Sequence, residues 1–516
     1  MTTDPASPDV TSKPPRRPLV VVSNREPYQH YYRDDGSLAW VPTTGGVAVA
    51  LDALMCERGG VWVAHGSGDA DQAVVDSADR VLVPPDRPTY ALRRLWLTPS
   101  EVTSYCDGFA NEGLWPLCHE AHVRPLFRQA DWTHYQSVNR RFAEAIEDEL
   151  PDLSASVFIQ DYHLALVALE VRRRCPGVKT AFFWHIPWPN PDRLRILPWR
   201  REILAGLLAN DLIAFQLERD RRNFVVAVRE ELGFDVTRNT VRVGNRIVVV
   251  NVVPIGVDYD RIQKITTDRA NADEMERLRQ EFSLDTPVIG VGVDRLDYTK
   301  GVLERLDAIE LLLERRADLR DRLTFVQIGV PSRSKIQSYV DVVAAIDRKV
   351  AEINKRFGRN GRGPVRYRKS SLRIKRLVAL YSLADFCVVS SLHDGMNLVA
   401  KEFVAAREDL NGVLVLSELA GAAQELHDAL IINPYDIEGF TDALEQALDM
   451  PLDERQRRMR ALRRVVAGRD VFSWASDILE GLERLDPRAL PQPPGRRLAS
   501  RQRRETAARA TETKLL

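Results

Sequence analysis

The stretch "SSLHDGMNLVAKEFVAA" runs from Ser390 to Ala406 and reads as a strand end, a tight turn and the opening turns of a helix. Asp394 sits in the turn. Gly395, Met396 and Asn397 offer backbone amides at the helix start. Leu398 and Glu402 lie four apart on one helix face. A carboxylate at that depth suits paired acceptance from vicinal hydroxyls, as on a ribose. The plainer alternative is an Asp394 that compensates the helix dipole and a Glu402 on the surface. Arg295 and Lys300 lie in "DRLDYTKG", between a strand and a helix. Two cations beside a helix start can hold a diphosphate, and an ion pair with Asp294 or Asp297 is the competing reading. Taken together, the two loops suggest a nucleoside diphosphate on the second half of the chain.

Other polar residues also fall at the ends of apolar runs. Arg25 follows "VVVSN", Asp161 follows "VFIQ", His185 follows "AFFW" and Arg333 follows "VQIGVPS". Arg25 and Arg333 each suit a second phosphate or a cleft-edge ion pair. His185 is either a packing histidine or a site residue, and Asp161 either a helix N-cap or a ligand. Gly45 and Gly46 open an earlier helix, where bare backbone can approach a phosphate or simply turn. No HExxH is present, and no metal is expected. A leaving diphosphate then relies on Arg295 and Lys300. Neither GxGxxG nor GxxxxGK[ST] occurs, which leaves dinucleotide oxidoreduction and P-loop hydrolysis without a motif.

The elements that must hold these groups follow from the apolar pattern. From Pro18 short apolar runs alternate with longer amphipathic ones, and a second such series begins near Asp258. Uninterrupted apolar strands between helices imply parallel sheets covered on both faces. The expected fold is therefore α/β, with two Rossmann-like, doubly wound domains facing across a cleft, because ligands bind beyond the carboxyl ends of such strands. "YYRDDGSLAWVPT" adds a hairpin turning at Asp35-Gly36. The expected boundaries are a disordered leader over 1–17, a first domain over 18–257, a second over 258–470, a helix near 471–485 that completes the first domain, and a disordered basic tail over 486–516.

With 516 residues, two domains are the natural prior. Lys+Arg and Asp+Glu number 73 each, so no basic excess points to nucleic acid or an anionic membrane as partner. Small-molecule substrates are the expected partners, and homo-oligomerisation stays open. The five cysteines form no CxxC pair, which fits a reducing cytoplasm. No apolar run is long enough to cross a membrane.

The motifs "VVVSNR", "GFANEGLWPL", "QDYHL", "FFWHIPWP", "LPWRREIL", "DRLDYTKG", "PSR", "DGMNLVAKE" and "GVLVLSELAGAAQEL" together resemble the trehalose-6-phosphate synthases, in that family's order from about Pro18 to Trp474. The resemblance implies a retaining glycosyltransferase of GT-B fold that moves glucose from UDP-glucose to glucose 6-phosphate, without a metal or other cofactor. It assigns Gly46, Arg295, Lys300, Leu398, Val399 and Glu402 to the nucleotide sugar, and Asp394 with the backbone after it to the glucosyl hydroxyls. It places His185 at the reacting sugar, Arg25 and Arg333 on the acceptor phosphate, and Asp161 and Trp115 beside the acceptor.

The departures cluster. "SNR" is followed by "EPY" rather than "LP", His65 stands where the family has a tryptophan, Cys106 replaces the second of two tyrosines, and "LRDG" becomes "LHDG" with His393. Three of the four fall on the acceptor side. They keep two alternatives in view. One is a relative with another phosphorylated acceptor, such as the glycerol 3-phosphate of glucosylglycerol-phosphate synthases, or another nucleotide-glucose donor. The other is a catalytically silent regulatory homologue.

Overall fold

A computed structural model describes residues 17–43, 46–150, 155–358 and 362–485. Gly45, most of the expected leader and the expected basic tail lie outside the described residues.

The first half builds strands β1 (Leu19–Arg25), β2 (Tyr28–Tyr32), β3 (Leu38–Pro42), β4 (Val61–His65), β5 (Arg80–Val83), β6 (Tyr90–Leu95), β7 (Ser156–Gln160), β8 (Lys179–Trp184), β9 (Leu212–Phe215), β10 (Thr240–Val243) and β11 (Arg246–Val252). β2 and β3 form the hairpin, with Gly36 at φ 77° in its turn. The other nine make one sheet in the order β10-β11-β9-β8-β7-β1-β4-β6-β5. Its interior is parallel, but both edge pairs, β10–β11 and β5–β6, are antiparallel. A four-residue edge strand such as "RVLV" is too short and too exposed to carry a sequence signal, so these edges were not anticipated.

The second half builds β12 (Val288–Arg295), β13 (Leu323–Val330), β14 (Val365–Arg368), β15 (Phe386–Val389), β16 (Val413–Ser417) and β17 (Leu430–Ile432). They form one parallel sheet in the order β14-β13-β12-β15-β16-β17. β7, β8, β15 and β16 are buried at every position, which is why they read as unbroken apolar runs.

The chain returns to the first sheet at its end. In the helix Val471–Arg484, Trp474 packs on Phe158 of β7 and Phe183 of β8. The ammonium of Lys179, on β8, donates to the carbonyls of Leu482 and Glu483 at 3.3 and 2.9 Å, a cation at a helix C-terminus. All five cysteines are unpaired, and among the described residues no helix is long and apolar enough to cross a membrane.

Candidate active site

Sheet order brings distant loops together. β12 lies beside β15, so the loop bearing Lys300 meets the turn bearing Asp394. Lys300 Nζ stands 2.5 Å from Asp394 Oδ2. Ser391 Oγ and Asn397 Nδ2 donate to the same oxygen at 3.1 and 3.2 Å. Burial opposes charge on Asp394, but the Lys300 ammonium outweighs it and holds the carboxyl at about 2. Asp294 is taken instead by Arg305, at 2.6 Å, and Asp297 by Arg333, at 3.5 Å.

Asn397, at φ 80°, caps the helix Leu398–Ala406 by accepting from the Ala400 amide. Glu402 lies one turn deeper, where it accepts from the Tyr381 hydroxyl at 3.2 Å. Burial raises its carboxyl to about 7. Leu398, on the same helix, touches the first half: a methyl on Gly46 would collide with its side chain. A methyl on Gly395 would collide with the carbonyl oxygen of His185. The two halves therefore meet in a tight seam at the turn after β15.

On the other side of that seam, adjacent β7 and β8 place Asp161 beside His185. The His185 amide donates to Asp161 Oδ1 at 3.1 Å, and its ring Nε2 lies 2.9 Å from Gln160 Oε1. Burial lowers the His185 pKa to about 3, so the ring is neutral. Burial raises the Asp161 carboxyl to about 7, although amide donors and the nearby Arg295 and Arg333 pull the other way. Asp161 sits at φ 71° and Arg333 at φ 52°, so with Asn397 three non-glycine residues of this region occupy the left-handed region.

Three guanidinium groups converge here. Arg333 lies 3.9 Å and Arg295 5.0 Å from the ring centroid of Trp115, which is buried. Arg333 also donates to the hydroxyls of Tyr339 and Tyr162, the latter at 2.9 Å. Tyr162 belongs to the first half, so this contact too crosses the seam. Arg25 ends β1, and its pKa is lowered by burial and then by the charges of Arg295 and Arg333. Such a cluster of like charges is the electrostatic signature of an anion site.

The divergent residues lie around this cluster. His65 pairs in register with Arg25 and hydrogen-bonds the Leu95 carbonyl at 3.1 Å. Cys106 lies on a π-type helix, Val102–Leu114, where its sulfur accepts from Asn24 at 3.7 Å and from Asn111 at 3.6 Å. Glu26 is buried against Arg94, at 2.8 Å. His393 adjoins Asp394. Sequence reasoning did not single out Tyr162, Tyr339, Tyr381 or His119. Tyr162 and His119 lie within or just past motifs already noted, "QDYHL" and "GFANEGLWPL", whereas the two tyrosines of the second half come from distant helices. Among the described residues no group of three or more His, Cys, Asp or Glu side chains is placed to hold a metal ion.

The trehalose-6-phosphate synthase of Mycolicibacterium gilvum (strain PYR-GCK) is 40% identical over 479 residues, covering 91% of this chain and 94% of its relative. Among solved structures, an alpha,alpha-trehalose-phosphate synthase (UDP-forming) from Burkholderia xenovorans in complex with glucose-6-phosphate superimposes with a TM-score of 0.81 at 32% identity, over 90% of this chain and 100% of that one. The E. coli protein bound with UDP-2-fluoro glucose gives a TM-score of 0.80 at 32% identity, over 91% and 100%. The sequence model for glycosyltransferase family 20 matches residues 17–484, and with relatives of this identity and coverage the chain belongs to that family.

Proposed function

We infer that this chain transfers glucose from UDP-glucose to glucose 6-phosphate, giving α,α-trehalose 6-phosphate and UDP. The observation that carries the reading is the presence of two anion-binding centres along one seam. The Lys300–Asp394 pair belongs to the second half, and Arg295 and Arg333 of that half meet Arg25 and Trp115 of the first. The relatives carrying glucose-6-phosphate or a UDP-glucose analogue support the same pair of ligands.

In this reading the second half holds the donor. The first-turn amides of Leu398 and Val399, with Lys300 and Arg295, face the diphosphate, and Glu402 takes the ribose hydroxyls. Asp394, ionised and anchored by Lys300, accepts from glucosyl hydroxyls with the Gly395–Asn397 backbone beside it. Gly46 leaves room for the donor helix, and neutral His185 lies at the sugar. Arg25 and Arg333 take the acceptor phosphate, and Trp115 and Asp161 line the acceptor.

Retention follows from attack on the face the diphosphate leaves. The bond from the anomeric carbon to the β-phosphate oxygen breaks, and the acceptor hydroxyl oxygen bonds to that carbon. Its proton passes to the departing phosphate oxygen. The chain supplies positioning and fixed positive charge, so no side chain need act as nucleophile. Cys106 and His65 beside the arginines favour one second reading, a different phosphorylated acceptor. UDP release from UDP-glucose, measured with glucose 6-phosphate, glycerol 3-phosphate, glucose and no acceptor, separates these. Release driven by glucose 6-phosphate is expected. Release driven only by glycerol 3-phosphate moves the assignment to the second reading, and release with none of them overturns both.

A further inference from the structure

His393 is the residue of the donor turn that departs from "LRDG", and it is the one whose side chain leaves its own domain. Its ring Nδ1 lies 2.9 Å from the backbone carbonyl oxygen of His119, and its Nε2 lies 3.2 Å from Nη2 of Arg219. Both partners belong to the first half. A carbonyl can only accept, so Nδ1 carries the proton; a guanidinium can only donate, so Nε2 carries a lone pair. The two contacts therefore fix both the tautomer and the charge of the ring as neutral. A second proton would set an N–H against an N–H and a cation against a cation at the Arg219 contact.

We propose that His393 is a positioning residue: it ties the glucosyl-binding turn to the first domain through His119 and Arg219, and so holds Asp394 where the donor sugar must sit. The proposal rests on the donor assignment made above. The neighbouring residue, Asp394, is anchored from its own domain by Lys300, Ser391 and Asn397, so His393 is the side-chain tie between that turn and the opposite wall. His119 is itself immobilised, with its ring 3.9 Å from that of Trp115 and its Nδ1 2.9 Å from the Trp115 carbonyl. The tie thus runs from the donor turn to the indole that carries Arg295 and Arg333. It couples the two binding centres mechanically.

The tie is also proton-sensitive. The charged and titratable groups around the ring are Arg219 with its neighbour Asp220, Glu120, His119 and Asp394. Burial and then Arg219 lower the His393 pKa below the usual histidine value, while Glu120 and Asp394 oppose them. Asp394 at about 2 and His119 at about 3 do not titrate between pH 5 and 8. Asp161 and Glu402, both at about 7, do.

Calorimetric affinities for UDP and for UDP-glucose isolate the tie, because UDP lacks the sugar that Asp394 holds. Their ratio cancels the contribution of Glu402, which serves both ligands. Arg219→Ala and His393→Ala should lower the affinity for UDP-glucose about fivefold and about twenty-fivefold, the scale of one and two lost hydrogen bonds, and leave UDP affinity within about twofold. The UDP-glucose affinity of the wild type, relative to that of His393→Asn, should fall as the pH drops below the usual histidine value. His393→Asn keeps a donor for the His119 carbonyl but cannot titrate, so Glu402, Asp161 and the ligand's own ionisation cancel from this comparison. Unchanged UDP-glucose affinity in both alanine variants overturns the proposal, as does a wild-type to His393→Asn affinity ratio that stays constant with pH. Equal loss of both ligands also overturns it. A wild-type chain that binds UDP but not UDP-glucose sinks the donor assignment and the proposal with it.

Discussion

Lys300 and Asp394 are 94 positions apart and share one proton-bearing contact of 2.5 Å between Nζ and Oδ2. Their side chains are largely buried, at 10% and 13% exposure, so neither charge is well solvated without the other. The pair ties a cation suited to a diphosphate to a carboxylate suited to a sugar. Removing either should therefore disturb both ends of the donor, but unequally.

Lys300→Ala should weaken UDP binding at least tenfold and lower kcat about a hundredfold, since it removes charge from the leaving diphosphate as well as the partner of Asp394. Asp394→Asn should lower kcat to a similar degree with UDP affinity within about threefold, because UDP has no glucosyl hydroxyls. Calorimetry with UDP alongside steady-state kinetics checks the split. Asp394, held at about 2, should give no acid limb above pH 4.

Glu402 makes a proton-linked prediction. Burial raises its carboxyl to about 7 in the free protein. Ribose hydroxyls donating to it favour the ionised form, so its pKa falls on binding. Binding of UDP-glucose, whose diphosphate does not itself titrate here, should thus release protons around pH 7 and hardly any above pH 8, and its affinity should rise with pH through this window. Titrations in buffers of different ionisation enthalpy measure the release. Glu402→Gln should abolish it and weaken UDP binding about tenfold.

Arg333→Ala should raise KM for glucose 6-phosphate by about a hundredfold while UDP affinity falls far less, because a charge-assisted contact to phosphate is lost whereas the donor loop loses only the ion pair of Asp297. Arg333→Lys should rescue little: an ammonium has neither the planar face that stacks on Trp115 nor the fork that reaches Tyr162 and Tyr339 together. Equal losses on both ligands would remove Arg333 from the acceptor phosphate.

Gly395 and Gly46 separate two kinds of crowding. At Gly395 the added methyl meets a backbone carbonyl, that of His185, which cannot move without β8. At Gly46 it meets the end of the Leu398 side chain, which can rotate. Gly395→Ala should cost more than tenfold in kcat/KM and Gly46→Ala clearly less, since only the first must open the seam.

Parts of this site were legible because chemistry and local geometry coincide. Leu398 and Glu402 share one helix that starts just after Asp394, so their spacing alone gives their relative depth. Arg25, Asp161 and His185 stand at strand ends, and parallel sheets put such ends on one side. What could not be read is what sheet order decides. The Lys300–Asp394 contact depends on β12 lying beside β15, and no spacing encodes that neighbour relation. Arg295 shares a loop with Lys300, but that its guanidinium lies over Trp115 with Arg333 depends on the other half of the chain. The short antiparallel edge strands and the π-type helix under Cys106 left no periodicity to find.

The product of the complete reaction is the most direct test. With UDP-glucose and glucose 6-phosphate supplied together, proton NMR of the product should show a single α,α-linked disaccharide phosphate formed one-for-one with UDP. A β-linked product, or free glucose in place of a glucose 6-phosphate adduct, would contradict front-face transfer between the two anion centres.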